Sequence, residues 1–483
     1  MKTIFELSKR GKKAYTLPKI DVPLELLESL PPRFRRVDSL DLPEVSEVDA
    51  VRHWTGLSQL NYHIDKGIYP LGSCTMKYNP KINEETAALT GFSEIHPLQD
   101  LSLIQGALEL MYELGEMMCE ITGLPSISFQ PVAGAHGEIT GLMLARAYFD
   151  NRGERREIIL VPDSAHGTNP ASSTLSGFKP IKVSSNERGL VNINELVEKM
   201  DENVAVIMLT NPNTLGLFES ELKRIAEIAH NKGGLLYLDG ANLNALLGII
   251  KPGKAGFDIV HLNLHKTFST PHGGGGPGGG GLTVREDIAP FLPVPLVKKG
   301  KEGYYLDYNL PSSIGKIHSF YGNFNVLVKA YTYLLMLGSK GLKRVSENAI
   351  INANYLKESL KDDYELPHKQ PAMHEFVLSG SEQLKRGVRT LDIAKRLLDL
   401  GFHAPTIYFP QIVHEALMIE PTETESKESL DHFIDAMKLI AKEAMDNPEK
   451  VKNAPVNTPV RRLDEVKAAK ELKVRYTRKE NNE

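Results

Sequence analysis

The chain has 483 residues, 41% of them apolar and 24% charged, with a formal net charge of −4. That is the balance of an ordinary soluble globular chain, long enough for a large domain, a smaller one and terminal extensions, and it gives no long-range attraction to nucleic acid or to a membrane. Its apolar runs stop short of bilayer-spanning length, and its two cysteines, Cys74 and Cys119, make neither a disulfide framework nor a thiolate zinc cage, so a mature cytoplasmic chain in a reducing compartment is expected.

Residues 1–101 are rich in proline and charge, with an aromatic, glycine-punctuated stretch at 62–78, and read as an arm lying on something else. From 103 to 122 apolar residues recur at Ile104, Ala107, Leu108, Met111, Leu114, Met118 and Ile121, the spacing of an amphipathic helix that Gly123 is placed to stop. Seven short apolar runs follow, at 126–129, 158–161, 181–183, 204–209, 235–238, 259–262 and 281–284, with helix-like stretches such as 138–149 and 220–231 between them. Strands alternating with helices predict an α/β domain on a mostly parallel seven-stranded sheet over 102–315. Beyond it come helical patterns at 323–337 and 342–360, strand-like runs at 375–379 and 415–419, and a helix at 428–445. Residues 316–446 therefore read as a smaller α+β C-terminal domain and 447–483 as a surface tail.

In such sheets ligands sit beyond the carboxyl ends of the strands. Lys266 follows the 259–262 run directly; it is either a snorkelling lysine or a partly desolvated amine able to form an imine with a carbonyl cofactor. Asp239 closes the preceding strand, as a helix N-cap or as the carboxylate that keeps a pyridine nitrogen protonated. Ala241, two residues on, is small enough for a ring to lie against the backbone. His166, past the 158–161 run, either satisfies a turn or stacks on the ring face opposite Ala241. Gly134, Ala135, His136 and Gly137 open a helix with free amides, a weak signal for a phosphate site. The pattern is neither GxGxxG nor a Walker sequence, which argues against dinucleotides and nucleoside triphosphates. The glycine run at 273–276 and 278–281 is a linker or, better, backbone passing close to a ligand or a neighbouring subunit. His261 and His265 show no third ligand, so no metal is expected.

Several long motifs stand in order along the chain: YPLGSCTMK at 69–77, SAHGTNP at 164–170, LNLHKT at 262–267 with the glycine run after it, EPTE at 420–423 and TPVRRLDE at 458–465. In these the sequence resembles glycine decarboxylase, the P-protein of the glycine cleavage system, and within it the second subunit of the form split in two, over nearly its whole length. The resemblance implies a fold-type-I enzyme dependent on pyridoxal 5′-phosphate. Lys266 then matches the imine lysine, Asp239 the pyridinium partner, His166 the stacking residue and the 134–137 turn the phosphate cradle, with Thr168 and Ala241 also at the cofactor. It implies decarboxylation of glycine and passage of the aminomethyl group to the lipoyl arm of the H-protein. It further implies a companion subunit 1, with two copies of each chain in a heterotetramer.

His265, beside Lys266, is a candidate proton-transfer group, and the 69–77 segment a candidate visitor to the site. Cys74 is a redox switch or a buried inert thiol. The rivals are another fold-type-I decarboxylase, a cysteine desulfurase, or a catalytically silent scaffold subunit. A desulfurase needs a mobile, exposed cysteine, and a scaffold has no need to retain Lys266 beside Asp239 and His166.

Overall fold

In the computed structural model the described residues are 2–23, 29–38, 40–273 and 278–475. The centre of the glycine run, 274–277, and the last eight residues of the tail, 476–483, lie outside them. The chain divides into two compact units, Met1–His63 with Pro459–Glu483, and Ile64–Thr458. The main element of the first is a helix over Glu47–Ser58, capped by the Ser46 hydroxyl, which accepts from the Asp49 amide.

The second unit is built on a seven-stranded sheet of β1 (Ser126–Ser128), β2 (Ile158–Pro162), β3 (Lys179–Val183), β4 (Val204–Thr210), β5 (Leu235–Gly240), β6 (Ile259–Asn263) and β7 (Gly280–Val284). Their order is β1-β7-β6-β5-β4-β2-β3, and only β7 runs against its neighbours. Each apolar run of the sequence is one of these strands. Helices cover both faces of the sheet, so β5 and β6 are buried throughout, and continuous apolar runs are what such strands require.

Of the helices, α1 (Gln105–Thr122) ends at Gly123 in the left-handed conformation, φ 73°. The next, α2 (Gly134–Asn151), opens with the Gly-Ala-His-Gly turn at 134–137, ahead of the apolar pattern that starts at 138. Short α3 (Thr168–Leu175) follows β2, and α4 (Leu222–Asn231) lies between β4 and β5. A ribbon of β8 (Leu296–Gly300) and β9 (Gly303–Asp307) follows. The two helical patterns after 323 are the two arms of α5 (Phe324–Leu360), which meet at Gly338, φ 60°, where the backbone is not helical. The small sheet is antiparallel, with β10 (Phe376–Ser379), β11 (Thr406–Ile407) and β12 (Ala416–Ile419) in the order β10-β12-β11, beside α6 (Thr390–Asp399) and α7 (Lys427–Asp446). At two residues, β11 is too short to show alternation in sequence. No helix among the described residues is long and apolar enough to cross a membrane.

Candidate active site

The parallel register of β5 and β6 pairs Asp239, near the end of β5, with His261 in the middle of β6 and so sets two buried polar side chains next to one another. Asp239 is 3% exposed. Its Oδ1 accepts from the Ala241 amide at 3.0 Å and faces His261 Nε2 at 3.1 Å, and its Oδ2 accepts from the Asn169 side-chain amide at 3.1 Å. Burial pushes this carboxyl up, but the charge and contact of His261, the Asn169 amide and the charge of Lys266 outweigh it and hold Asp239 below the ordinary carboxylate range. For His261 burial pushes the imidazole down, and Asp239 and Glu138 more than reverse this. The Tyr237 hydroxyl meets His261 Nδ1 at 3.0 Å. The result is a carboxylate kept ionised inside the protein, the state that holding a protonated pyridine nitrogen demands.

Beyond β6 the chain turns, the Lys266 amide donating to Asn263 O at 3.1 Å, and the turn projects the half-buried Lys266, whose Nζ donates to Ser73 O at 2.8 Å. His265 Nδ1 lies 3.1 Å from Gly279 O, and burial, then the charge of Lys266, bring its pKa to about 4. It is therefore neutral at neutral pH.

Gly134, Ala135 and His136 form the first turn of α2, whose N-cap Ala133 is extended and supplies no capping side chain, and no acidic residue lies in that turn. Its amides are left for an anion. A Cβ on Gly134 would stand 2.7 Å from Asn263 Oδ1, so the turn abuts the end of β6. His136 Nδ1 accepts from the Val132 amide at 3.3 Å, and burial, then His318, lower its pKa. His166 is exposed; its Nδ1 lies 3.0 Å from Thr168 Oγ1 and its ring meets Phe409 edge-on at 5.5 Å. Thr168 donates to buried Glu138 at 2.9 Å. The link from this turn to Asp239 is Asn169, which sequence reading did not single out.

Sequence reading also did not foresee what holds the 69–77 segment. The Ser73 amide donates to Glu375 at 2.6 Å, and the Thr75 amide and hydroxyl donate to Glu420 at 2.9 and 2.7 Å. Lys77 Nζ donates to Glu423 at 2.7 Å, Thr267 O at 2.8 Å and the Tyr333 hydroxyl at 3.1 Å. Ser73 and Thr75 take φ of 61° and 50°, a strained region for side-chain-bearing residues that the three carboxylates sustain. The signal for these contacts was present only as the EPTE motif and a glutamate at the head of an apolar run. Cys74 lies between the anchors, and burial pushes its thiol up to about 11; burial likewise takes Cys119 to about 12. Neither is a ready thiolate.

An amine, an ionised carboxylate and an uncapped helix start converge at the ends of β5, β6 and the β1–α2 connection. Asn263 Oδ1 and Thr267 Oγ1, buried beside them without a hydrogen-bond partner, are further polar atoms for a bound group to meet. This donor set fits pyridoxal phosphate.

Residues 25–305 match the glycine cleavage system P-protein family, and 345–462 match the C-terminal domain of glycine dehydrogenase. A relative from Chloroherpeton thalassium, described as "Probable glycine dehydrogenase (decarboxylating) subunit 2", is 60% identical over 482 residues, covering 99% of this chain and 98% of its own. One of the same description from Caldanaerobacter subterraneus subsp. tengcongensis is 60% identical over 477 residues, covering 98% of each. Among solved structures, an inhibitor-bound glycine decarboxylase (P-protein) of the glycine cleavage system superposes with a TM-score of 0.72 at 23% identity, covering 86% of this chain and 94% of that one. A cysteine desulfurase from Thermococcus onnurineus superposes at 0.59 with 16% identity, over 80% of this chain and 98% of that one. The fold is that of fold-type-I pyridoxal phosphate enzymes.

Proposed function

The chain belongs to the glycine cleavage system P-protein family, which it matches over more than half its length by family model and end to end in relatives called subunit 2, and from that premise we propose that it decarboxylates glycine and passes the aminomethyl group to the lipoyl arm of the H-protein. The observation that carries this reading is Asp239, held ionised at the end of β5, with Lys266 on the turn just after the neighbouring β6 and its charge felt at that carboxylate. Pyridoxal phosphate, when bound, supplies the electron-withdrawing ring that takes up the electron pair left by departing carbon dioxide. Lys266 would hold its aldehyde carbon and Asp239 its protonated ring nitrogen. Ala241 and His166 would lie on the ring's two faces, and Gly134, Ala135, His136 and Thr168 would hold its phosphate. His265, neutral and next to Lys266, moves protons near that amine.

The subunit 2 description of the relatives supports a companion subunit 1, in our reading with two copies of each chain. So do the large apolar side chains that the first unit leaves exposed, Leu17 at 81% and Val37 at 94% among them. Cysteine usage supports a cytoplasmic setting.

The test is exchange of labelled bicarbonate into the carboxyl group of glycine by this chain co-purified with its companion and supplied with lipoylated carrier, beside Lys266→Ala. Carrier-dependent exchange lost in the variant is expected. A yellow complex without exchange would keep the cofactor and reject glycine, and a colourless inactive one would favour a scaffold.

A further inference from the structure

Two strands of the small sheet bring carboxylates to one point. Glu375 immediately precedes β10 and Glu420 immediately follows β12, and the antiparallel register Phe376↔Ile419 sets them beside each other. Both are 0% exposed, and an oxygen of each lies within 4.8 Å of the other and of a ring nitrogen of His374. Among the described residues no lysine or arginine forms an ion pair with either. The donors that reach them are neutral: the Ser73 amide and, at 3.5 Å, Asn242 on Glu375; Thr75 and, at 3.1 Å, Asn244 on Glu420.

His374 adds an independent observation. It is wholly buried, neither ring nitrogen has a hydrogen-bond partner, and its Nε2 stands 3.5 Å from Glu375 Oε1. Burial, then Lys266, keep it neutral, with a pKa of about 3. A neutral imidazole has one N–H and one acceptor, so one of these nitrogens calls for a donor. Glu375 is such a donor when it carries a proton and an acceptor when it does not; in both cases His374 brings the two carboxyls no positive charge. Two bare carboxylates this close in a buried pocket cannot both ionise in the ordinary range. Burial first, and for Glu375 the charge of Glu420 next, push both upward against the pull of Lys266.

We propose that Glu375 and Glu420 share a single proton and, as a positioning pair carrying one negative charge, set the protonation of the imine formed at Lys266, with residues 73–75 strapping the two carboxylates together. The coupling rests on the reading of Lys266 as the imine lysine; the shared proton does not. The titratable and charged groups facing the pair are Lys266 from the turn after β6, which also bonds the strap at Ser73 O, Cys74 from the strap itself, and His374. Lys77 and Glu423 neutralise each other farther along the strap.

The charge count makes the test non-additive. Glu375→Gln or Glu420→Gln removes one carboxyl but leaves the other as a single ionised acid, so the site keeps its one negative charge. In the chain co-purified with its companion and loaded with pyridoxal phosphate, the pH at which the imine absorption band loses its proton should stay unchanged in either single variant. It should fall by about one unit or more, a tenfold change, in the double variant. A single variant that already lowers it, with the double adding an equal step, would mean two separately ionised carboxylates and overturn the proposal. Infrared spectra of the unmutated complex give a second arm that needs no variant to fold: a protonated-carboxyl band persisting at pH 7 is expected, and its absence overturns the proposal. Loss of that band in either single variant assigns it to the pair. If borohydride traps no pyridoxal phosphate on Lys266, the lysine reading fails and takes the coupling with it, whatever the infrared band shows.

Discussion

Burial alone would neutralise Asp239; the imidazole of His261 at 3.1 Å, the Asn169 amide and the charge of Lys266 keep it ionised. Asp239→Asn keeps the shape and removes the charge. It should leave pyridoxal phosphate trapped on Lys266 while cutting glycine–bicarbonate exchange about 100-fold, the scale of losing one preorganised electrostatic partner. Rates normalised to trapped cofactor check this. His374 gives a pH prediction of definite sign. The folded protein refuses this proton until about pH 3, whereas an unfolded histidine accepts it near its ordinary value of about 6.5. Between those limits the unfolded state binds more protons, so stability falls as pH is lowered, by about 1 kcal/mol per unit for this group. His265, held at about 4, acts in the same direction. The proton held by Glu375 and Glu420 acts in the opposite direction, so the check is a difference: from pH 7 to 5 the urea midpoint of the wild type should fall relative to that of His374→Asn.

At the scale of elements, Lys77 is the tie among four of them: the 69–77 strap, the turn after β6 through Thr267 O, α5 through Tyr333, and the segment after β12 through Glu423. Burial pushes the Lys77 ammonium down, and Glu423 and Tyr333 more than restore its charge. Both partners of the ion pair are buried, with side chains 1% and 7% exposed. Removing one strands the other, so Lys77→Met should cost about 3–5 kcal/mol in urea unfolding, and adding Glu423→Leu should recover much of that loss. A double variant no more stable than the single would show that the pair does not carry the strap's attachment. The elements themselves were largely legible. Helix α1 showed its periodicity and its Gly123 stop, the glycine-rich turn at 134–137 marked the start of α2, and the two helical patterns after 323 are the two arms of α5 on either side of Gly338.

For the whole molecule, the exposed apolar residues of the first unit matter most. Tyr15 is 75% exposed and Leu17 81%, a poor arrangement for a chain that acts alone. The described stretches 15–23 and 29–38 should therefore be cut readily by protease in the isolated chain and be protected when the companion subunit is added, as mass spectrometry of the fragments will show. Equal cleavage in both would mean that the companion binds elsewhere.

The sequence by itself determined the seven strands, because strands buried on both faces must be continuous apolar runs, and it drew attention to Lys266 and Asp239, because polar residues directly after such runs stand where ligands bind. Only the tertiary structure decided what these residues touch. Ser73 meets Glu375 across 302 positions and Thr75 meets Glu420 across 345, and Asn169 reaches Asp239 from another strand's connection. A local pattern reports which way a side chain faces; which distant group it meets is settled by how sheets and helices pack, and no periodicity records that.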